Sequence, residues 1–96
     1  MSKHDDIAKE LAKKFHTTYK SKKGIDLVTP KRVIEVETKK GDIYQGIKQI
    51  EKSSKPRYLA TNEININNAL EATKNTGIGI MDEKGRIIKK ASRKKL

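Results

Sequence analysis

The 96-residue chain contains no cysteine and no tryptophan, and only 4% of its residues are aromatic. Without cysteine it can form neither disulfides nor thiolate metal sites. Its few aromatic side chains are too scattered to make a platform on which nucleic-acid bases stack. It also has no apolar stretch long enough to span a bilayer. These absences argue against a secreted disulfide scaffold, a thiolate zinc protein and a membrane protein.

The hydrophobic fraction is low, at 33%, and the charged fraction is 36%. Ile, Leu and Val nevertheless recur in periodic runs, which predicts one small folded domain over residues 1–90 and a basic, mobile tail over 91–96. Residues 1–6 lack the apolar core of a signal peptide, so we expect a cytoplasmic location. A core this small gains stability from a partner, which favours a homodimer.

Positive charge dominates, because 23 Lys and Arg residues face 12 Asp and Glu residues and give a net charge of +11. Such an excess suits binding to nucleic acid through neutralisation of phosphates and release of counterions. A membrane surface is the weaker alternative, since no aromatic-rich amphipathic helix is present.

Hydrophobic periodicity predicts an α/β domain with a mixed β-sheet flanked by helices, in the order α-β-β-α-β-α-β-β. Ile7, Leu11 and Phe15 lie on one side of a helix over 4–15. The other predicted elements are strands over 24–28 and 33–40, a helix over 42–53, a strand over 57–60, a helix over 66–75, and strands over 77–81 and 86–90.

Three carboxylates lie within the first two predicted strands. Glu35 and Glu37 share one face of the second strand, while Asp26 lies on the first strand, across a short turn. If the register of this hairpin allows, the three carboxylates meet, and their mutual repulsion then calls for a cation. Mg²⁺, or Mn²⁺, is the simplest candidate because it takes oxygen ligands. The alternative is that Glu35 and Glu37 form the solvated face of an amphipathic strand.

Asp26, followed nine residues later by Glu35-Val36-Glu37 and then by a helix with glutamines, resembles the PD-(D/E)XK nuclease superfamily. This superfamily includes restriction endonucleases and archaeal Holliday junction resolvases. The resemblance covers roughly residues 4–90 and implies a restriction-endonuclease-like fold that hydrolyses DNA with Mg²⁺. It also implies that Asp26, Glu35 and the carbonyl of Val36 bind the metal.

Glu37 departs from this pattern, because the family usually has a lysine there that positions or deprotonates the attacking water. Some restriction enzymes of the fold use glutamate at this place, so the resemblance still implies a catalytic role for Glu37. It implies further catalytic roles for Glu10 on the first helix and for Gln45 on the second, where Gln49 is a similar candidate.

Basic residues lie on both sides of the three carboxylates in the sequence, and we expect them to bind the DNA backbone. They are Lys22, Lys23, Lys31, Arg32, Lys39, Lys40 and Lys48. Lys39 would share the strand face of Glu35 if that strand continues so far. His4 and His16 have no partner at a metal-ligand spacing, so no site role is predicted for them.

The leading functional hypothesis is a metal-dependent DNA endonuclease, with branched junctions among its candidate substrates. The alternative is a non-catalytic nucleic-acid-binding protein on the same fold, a reading motivated by Glu37 in the lysine position. A third reading, a regulatory subunit that binds another protein, is disfavoured by the net charge of +11.

Overall fold

The computed structural model of the protein describes residues 3–20 and 24–92. The helices and strands in chain order are α1 (Lys3–Lys14), β1 (Leu27–Val28), β2 (Val33–Val36), α2 (Ile43–Ile50), β3 (Arg57–Ala60), α3 (Ile66–Ala72), β4 (Gly79–Met81) and β5 (Ile87–Lys89). Two single turns of 3-10 helix, Lys40–Asp42 and Glu63–Asn65, lead into α2 and α3.

The strands form one five-stranded sheet in the order β1-β2-β3-β4-β5. The outer pairs, β1–β2 and β4–β5, are antiparallel, and the central pairs, β2–β3 and β3–β4, are parallel. Each parallel pair is joined by a helical crossover, as parallel strands require. The predicted small α/β domain with a mixed sheet is therefore confirmed.

Alternate residues of the strands face opposite sides of the sheet, and each side has its own core. Ile7 and Leu11 of α1 belong to the same core as Ile34 and Val36. On the other side, α2 and α3 pack over a core that includes Leu59 of the central strand. The sheet is thus the middle layer of three, and its buried strands hold both cores in place.

The first two strands are shorter than predicted. β2 ends at Val36 because the next two carbonyls accept side-chain hydrogen bonds, that of Glu37 from Thr61 at 2.6 Å and that of Thr38 from Asn65 at 2.8 Å. The expectation that Lys39 continues the strand face of Glu35 is therefore wrong. β1 likewise begins only at Leu27, three residues later than predicted.

The second and third helices also end earlier than predicted. After α2, the carbonyl of Glu51 accepts a hydrogen bond from Arg57 Nη1 at 2.8 Å. After α3, the chain turns through Asn75, which has a positive φ of 62°. The Arg57 bond thus satisfies a carbonyl at the end of α2, and the positive φ of Asn75 redirects the backbone after α3.

Beyond β5, the backbone N–H of Ala91 donates to Tyr58 Oη at 3.2 Å and that of Ser92 donates to the Gly77 carbonyl at 2.8 Å. Residues 91 and 92 of the predicted tail are thereby bound to the sheet, and residues 93–96 lie outside the described residues. No helix within the described ranges has the length and apolar character needed to cross a bilayer.

Candidate functional site

Asp26 and Glu35 come together where the β1–β2 hairpin opens. The register pairs Leu27 with Ile34, so the next facing positions are Asp26 and Glu35. The backbone N–H of Asp26 donates to Glu35 Oε1 at 3.0 Å, and the backbone N–H of Val36 donates to Asp26 Oδ2 at 3.0 Å. Two buried carboxyl groups thus continue the hairpin with side-chain bonds in place of backbone bonds.

Glu37 joins them from the end of β2, and we call Asp26, Glu35 and Glu37 the acidic cluster. A hydrogen bond links the Glu35 and Glu37 side chains. Glu37 packs against α2 at Gly46. A Cβ added to Gly46 would be only 2.7 Å from Glu37 Cγ. The missing side chain of Gly46 is therefore what allows Glu37 to occupy this position.

Buried polar side chains beyond β3 fix the backbone that carries Glu37. Besides the Thr61 bond to the Glu37 carbonyl and the Asn65 bond to the Thr38 carbonyl, Asn65 Nδ2 donates to Asn62 Oδ1 at 2.9 Å. Asn62 precedes the 3-10 turn Glu63–Asn65 but makes no side-chain capping bond to it. These side chains instead hold one wall of the site.

His4 of α1 is a member of the site that sequence reasoning missed. Its Nε2 lies 3.2 Å from Asp26 Oδ2, and its Nδ1 lies 3.1 Å from Tyr19 Oη. The Tyr19 hydroxyl donates to Asp5 Oδ1 at 2.7 Å, so its oxygen accepts from His4 Nδ1–H. His4 thus joins α1 to the acidic cluster through Asp26 and to Tyr19 through its other ring nitrogen.

The carboxyl groups of the acidic cluster hold protons more tightly than exposed carboxyl groups do. Burial, reinforced by the charges of Asp26 and Glu37, raises the pKa of Glu35 to about 8, although the hydrogen bond from the Asp26 N–H opposes it. Burial raises the pKa of Glu37 to about 7 against the opposing charge of His4. Burial also raises the pKa of Asp26, while the Val36 N–H and His4 oppose that rise.

Tyr19 is shifted in the same sense. Its burial and its hydrogen bond to Asp5, together with the charge of Asp26, raise the pKa of its hydroxyl above the usual range. The hydroxyl therefore keeps its proton, as the bond to Asp5 requires.

Oxygen donors dominate the acidic cluster, and such donors fit a hard divalent ion. Within the described ranges, however, no group of three or more His, Asp or Glu side chains is arranged to hold a metal ion. The carboxyl oxygens are engaged within the protein instead. Asp26 Oδ2 and Glu35 Oε1 accept hydrogen bonds from backbone N–H groups, and the Glu35 side chain is hydrogen-bonded to Glu37. The donor chemistry fits a metal, and the arrangement of the side chains is not a preformed set of ligands.

The other residues predicted to be catalytic make no hydrogen bond or ion pair with the acidic cluster in the part of the chain that the structure describes. Glu10 is exposed and lines a surface groove of α1 together with Glu83 and Lys84. Gln45 and Gln49 are both exposed on α2, whose buried residues are on the side that packs against the sheet. The structure thus brings together Asp26, Glu35, Val36 and Glu37, while the roles of Glu10 and Gln45 stay predictions.

Exposed lysines lie near the end of β2 that carries the acidic cluster. Lys39 and Lys40 follow Glu37 within one short turn, and Lys20 is tied to Asp26 by a backbone bond of 2.9 Å from its N–H to the Asp26 carbonyl. Lys48 is exposed on α2, two residues from Gly46. Lys22 and Lys23 lie outside the described residues.

Lys31 and Arg32 lie at the other end of β2, in the turn that begins the strand. At about 3.3 Å per residue, Lys31 is on the order of 13 Å along the strand from Glu35. Arg32 is half-buried, and its guanidinium carbon lies 5.1 Å from the centre of the Phe15 ring and 5.7 Å from that of Tyr58. Arg32 thus packs on aromatic rings as a cation–π contact.

Several other cations bind backbone carbonyls of the protein itself. Lys14 donates to the Lys84 carbonyl, Lys55 to the Thr29 carbonyl, and Lys89 to the Thr73 carbonyl. Arg57 donates to the carbonyls of Glu51 and Thr76. Part of the net charge of +11 therefore supports the fold. By contrast, no side-chain hydrogen bond or ion pair engages Lys20, Lys39 or Lys40 in the part of the chain that the structure describes.

Comparisons of the chain with protein-family models, with curated proteins and with solved structures find no match. The protein is a small α/β domain with a five-stranded mixed sheet and a buried acidic cluster at one end of β2.

Proposed function

We propose that the protein is a metal-dependent endonuclease that hydrolyses phosphodiester bonds in DNA. The observation that carries the proposal is the meeting of Asp26, Glu35 and Glu37 in one cluster, with exposed lysines beside it. Titratable groups with strongly raised pKa values, such as Glu35 and Glu37, cluster at functional sites. The neighbouring lysines suit a phosphate-bearing substrate.

The proposed metal is Mg²⁺ or Mn²⁺, and Asp26, Glu35 and the carbonyl of Val36 are the residues that would hold it. When bound, such an ion lowers the pKa of a coordinated water and stabilises charge on the phosphoryl oxygens. His4 keeps Asp26 oriented through the contact at Asp26 Oδ2, and the Val36 N–H holds the same oxygen from the other side.

Glu37 is the proposed acceptor for the proton of the attacking water, in the place where the nucleases that the sequence resembles usually carry lysine. Lys39 and Lys40 bind phosphates on either side of the reacting bond. Such contacts hold the DNA backbone without reading sequence, so recognition depends on the shape of the DNA. Enzymes that cut both strands of a duplex commonly use two such sites, and we propose that the protein acts as a homodimer.

The test is incubation of the full chain with plain duplex, single-stranded and branched DNA, in the presence of Mg²⁺, Mn²⁺ or EDTA. We expect cleavage only with metal, and its loss in Asp26→Asn and in Glu35→Gln with DNA binding retained. Glu71→Gln is the matched control, because Glu71 is exposed and its contact with Lys74 is a long one of 3.9 Å. Equal cleavage by Glu35→Gln and the unchanged protein would contradict the proposal.

A second candidate is a nucleic-acid-binding protein that has lost catalysis. The observation that favours it is that the acidic oxygens are directed to backbone N–H groups and to one another, with no lysine in the place of Glu37. It predicts salt-sensitive binding and no cleavage with any metal, so the same assay decides between the two. Failure to bind DNA or RNA even at low salt would contradict both candidates.

A further inference from the structure

The two edges of the sheet are covered to different extents. At the β1 edge, Thr17 Oγ1 donates to the Val28 carbonyl at 2.7 Å, and the N–H of Lys20 donates to the Asp26 carbonyl at 2.9 Å. The chain that leads into β1 therefore occupies that edge. In the part of the chain that the structure describes, β5 pairs with β4 alone and its outer side is uncovered. An uncovered edge strand is a site at which another chain can pack.

Apolar side chains are exposed along this β5 edge. Ile87 and Ile88 are 48% and 46% exposed. Ile64, which follows Glu63 in the chain, is 82% exposed. The register passes from Met81↔Ile87 to Ile80↔Lys89, so Ile88 stands outside the ladder. The charge of Lys89 does not prevent another chain from packing on the edge, because Lys89 Nζ donates to the carbonyl and to Oγ1 of Thr73 at 3.0 and 3.1 Å.

Charges of both signs surround these isoleucines. Ile88 lines a surface groove of about 290 Å³ whose other residues are Glu63, Ile66, Asp82, Glu83, Lys84 and Arg86. Asp82 is already bonded to Arg86 at 3.1 Å, so Glu63 and Glu83 are the remaining acids. A patch that carries both signs is self-complementary, since a two-fold axis brings the acidic part of one copy to the basic part of the other.

We propose that the β5 edge is the surface through which two copies of this chain associate. Each copy buries Ile64, Ile87 and Ile88 in the contact, and Glu63 and Glu83 lie opposite the basic residues of the second copy. The high net positive charge disfavours other contacts between copies, because it repels a second copy where acidic residues are sparse. The surface lies on the edge strand opposite the hairpin that holds the acidic cluster, so association through it does not depend on catalysis.

The test is sedimentation equilibrium of the full chain from low micromolar to near-millimolar concentration. We expect a monomer–dimer equilibrium, with a dissociation constant raised at least about tenfold in Ile88→Lys, because the change places a charge in the buried centre of the contact. Val28→Lys, an exposed substitution at the covered β1 edge, is the matched control and should dimerise normally. Circular dichroism checks folding, and Ile64→Lys replaces Ile88→Lys if the latter does not fold.

A protein that stays monomeric at every concentration, or an Ile88→Lys variant that dimerises as tightly as the unchanged protein, would overturn the proposal. The cleavage assay on the same samples separates the two proposals. A dimer without nuclease activity supports the β5 contact and contradicts the nuclease proposal. An active monomer contradicts the β5 contact and supports the nuclease proposal.

Discussion

Asp26 and Glu35 bind across the open end of their hairpin, because the Asp26 N–H donates to the Glu35 carboxyl and the Asp26 carboxylate accepts from the Val36 N–H. Each acid thus has a structural task in addition to any chemistry. Loss of either side chain leaves a buried N–H group without its acceptor, and a substitution must preserve that acceptor if it is to report on chemistry alone.

Asp26→Ala and Glu35→Ala should each lower the free energy of unfolding by about 1–3 kcal/mol, the usual cost of an unsatisfied buried donor. Asp26→Asn and Glu35→Gln keep an oxygen for the N–H group and should cost less than their alanine counterparts. Urea denaturation measures this, and each alanine variant is compared with the amide variant at the same position, so that both members of a pair keep the same other ionisable groups. Equal losses in the alanine and amide variants would contradict the structural role.

Stability should fall as pH rises, because buried Glu35 and half-buried Glu37 both have raised pKa values. The folded state holds the Glu35 proton up to a pKa of about 8, whereas the unfolded chain releases it near 4.5. Between these values the folded state binds more protons, so the free energy of unfolding decreases with pH across that window. The stabilisation is complete below the lower value and is lost as pH passes through the upper one.

Glu35→Gln removes this titration and should flatten the decrease, so that the variant becomes more stable than the unchanged protein at alkaline pH. Urea denaturation in EDTA on both sides of the window measures the effect, with Glu71→Gln as the control that keeps the original slope. Parallel curves for the unchanged protein and Glu35→Gln would show that Glu35 does not hold its proton in the folded state.

Gly46→Ala tests whether Glu37 depends on the space beside α2. In an ordinary helix this substitution stabilises by up to about 1 kcal/mol. Here the new Cβ would lie 2.7 Å from Glu37 Cγ and 2.8 Å from Glu37 Oε2, so Glu37 must move. We expect cleavage of DNA to fall towards the level of Glu37→Ala while the protein stays folded.

A double-mutant cycle provides the control for Gly46→Ala. In a Glu37→Ala background nothing opposes the new methyl group from that side, and the stabilisation expected of alanine should appear. Thermal denaturation of the four proteins gives the coupling, and additive effects would mean that Gly46 and Glu37 do not interact.

Gly79→Ala should destabilise the protein by several kcal/mol. A Cβ there would lie 2.5 Å from the Ala91 nitrogen, 2.5 Å from Tyr58 Cε1 and 2.6 Å from the Lys89 carbonyl oxygen, and backbone atoms cannot move aside cheaply. Gly41→Ala is the matched control, because nothing lies within 4 Å of its added Cβ. Comparison of the two melting temperatures measures the difference, and equal temperatures would contradict the close packing of β4 against β5.

Lys39→Gln and Lys40→Gln should each weaken DNA binding about equally for all sequences and reduce the slope of affinity against salt by about 1. Lys55→Gln, whose Nζ already donates to the Thr29 carbonyl, serves as the comparison and should leave that slope nearly unchanged. Fluorescence anisotropy over a salt series measures all three. Lys31→Gln then shows whether DNA reaches the far end of β2, as the sequence predicted.

The α/β class and the mixed sheet were predictable because their signals are local. Runs such as Val33–Val36 and the spacing of Ile7 and Leu11 are set by the period of each element. The C-terminal end of β2 was not predictable, since it depends on Thr61 and Asn65, which lie beyond β3 in the chain.

The candidate site was likewise predictable only in part. Asp26, Glu35 and Glu37 were identified from their alternation along a hairpin. The approach of His4 to Asp26 joins residues that are distant in sequence, and no local pattern encodes it. The role of Gly46 is equally hidden, because a glycine within a helix shows what it makes room for only once the facing side chain is placed.

The central strand β3 is parallel to both of its neighbours, while each flanking pair is an antiparallel hairpin of residues close in sequence. Hairpins close short loops and form quickly, whereas parallel pairing must wait for a crossover to be ordered. The docking of β3 between the two hairpins is therefore the step that we expect to limit the folding rate. We therefore expect the two parallel pairs to form after the two hairpins.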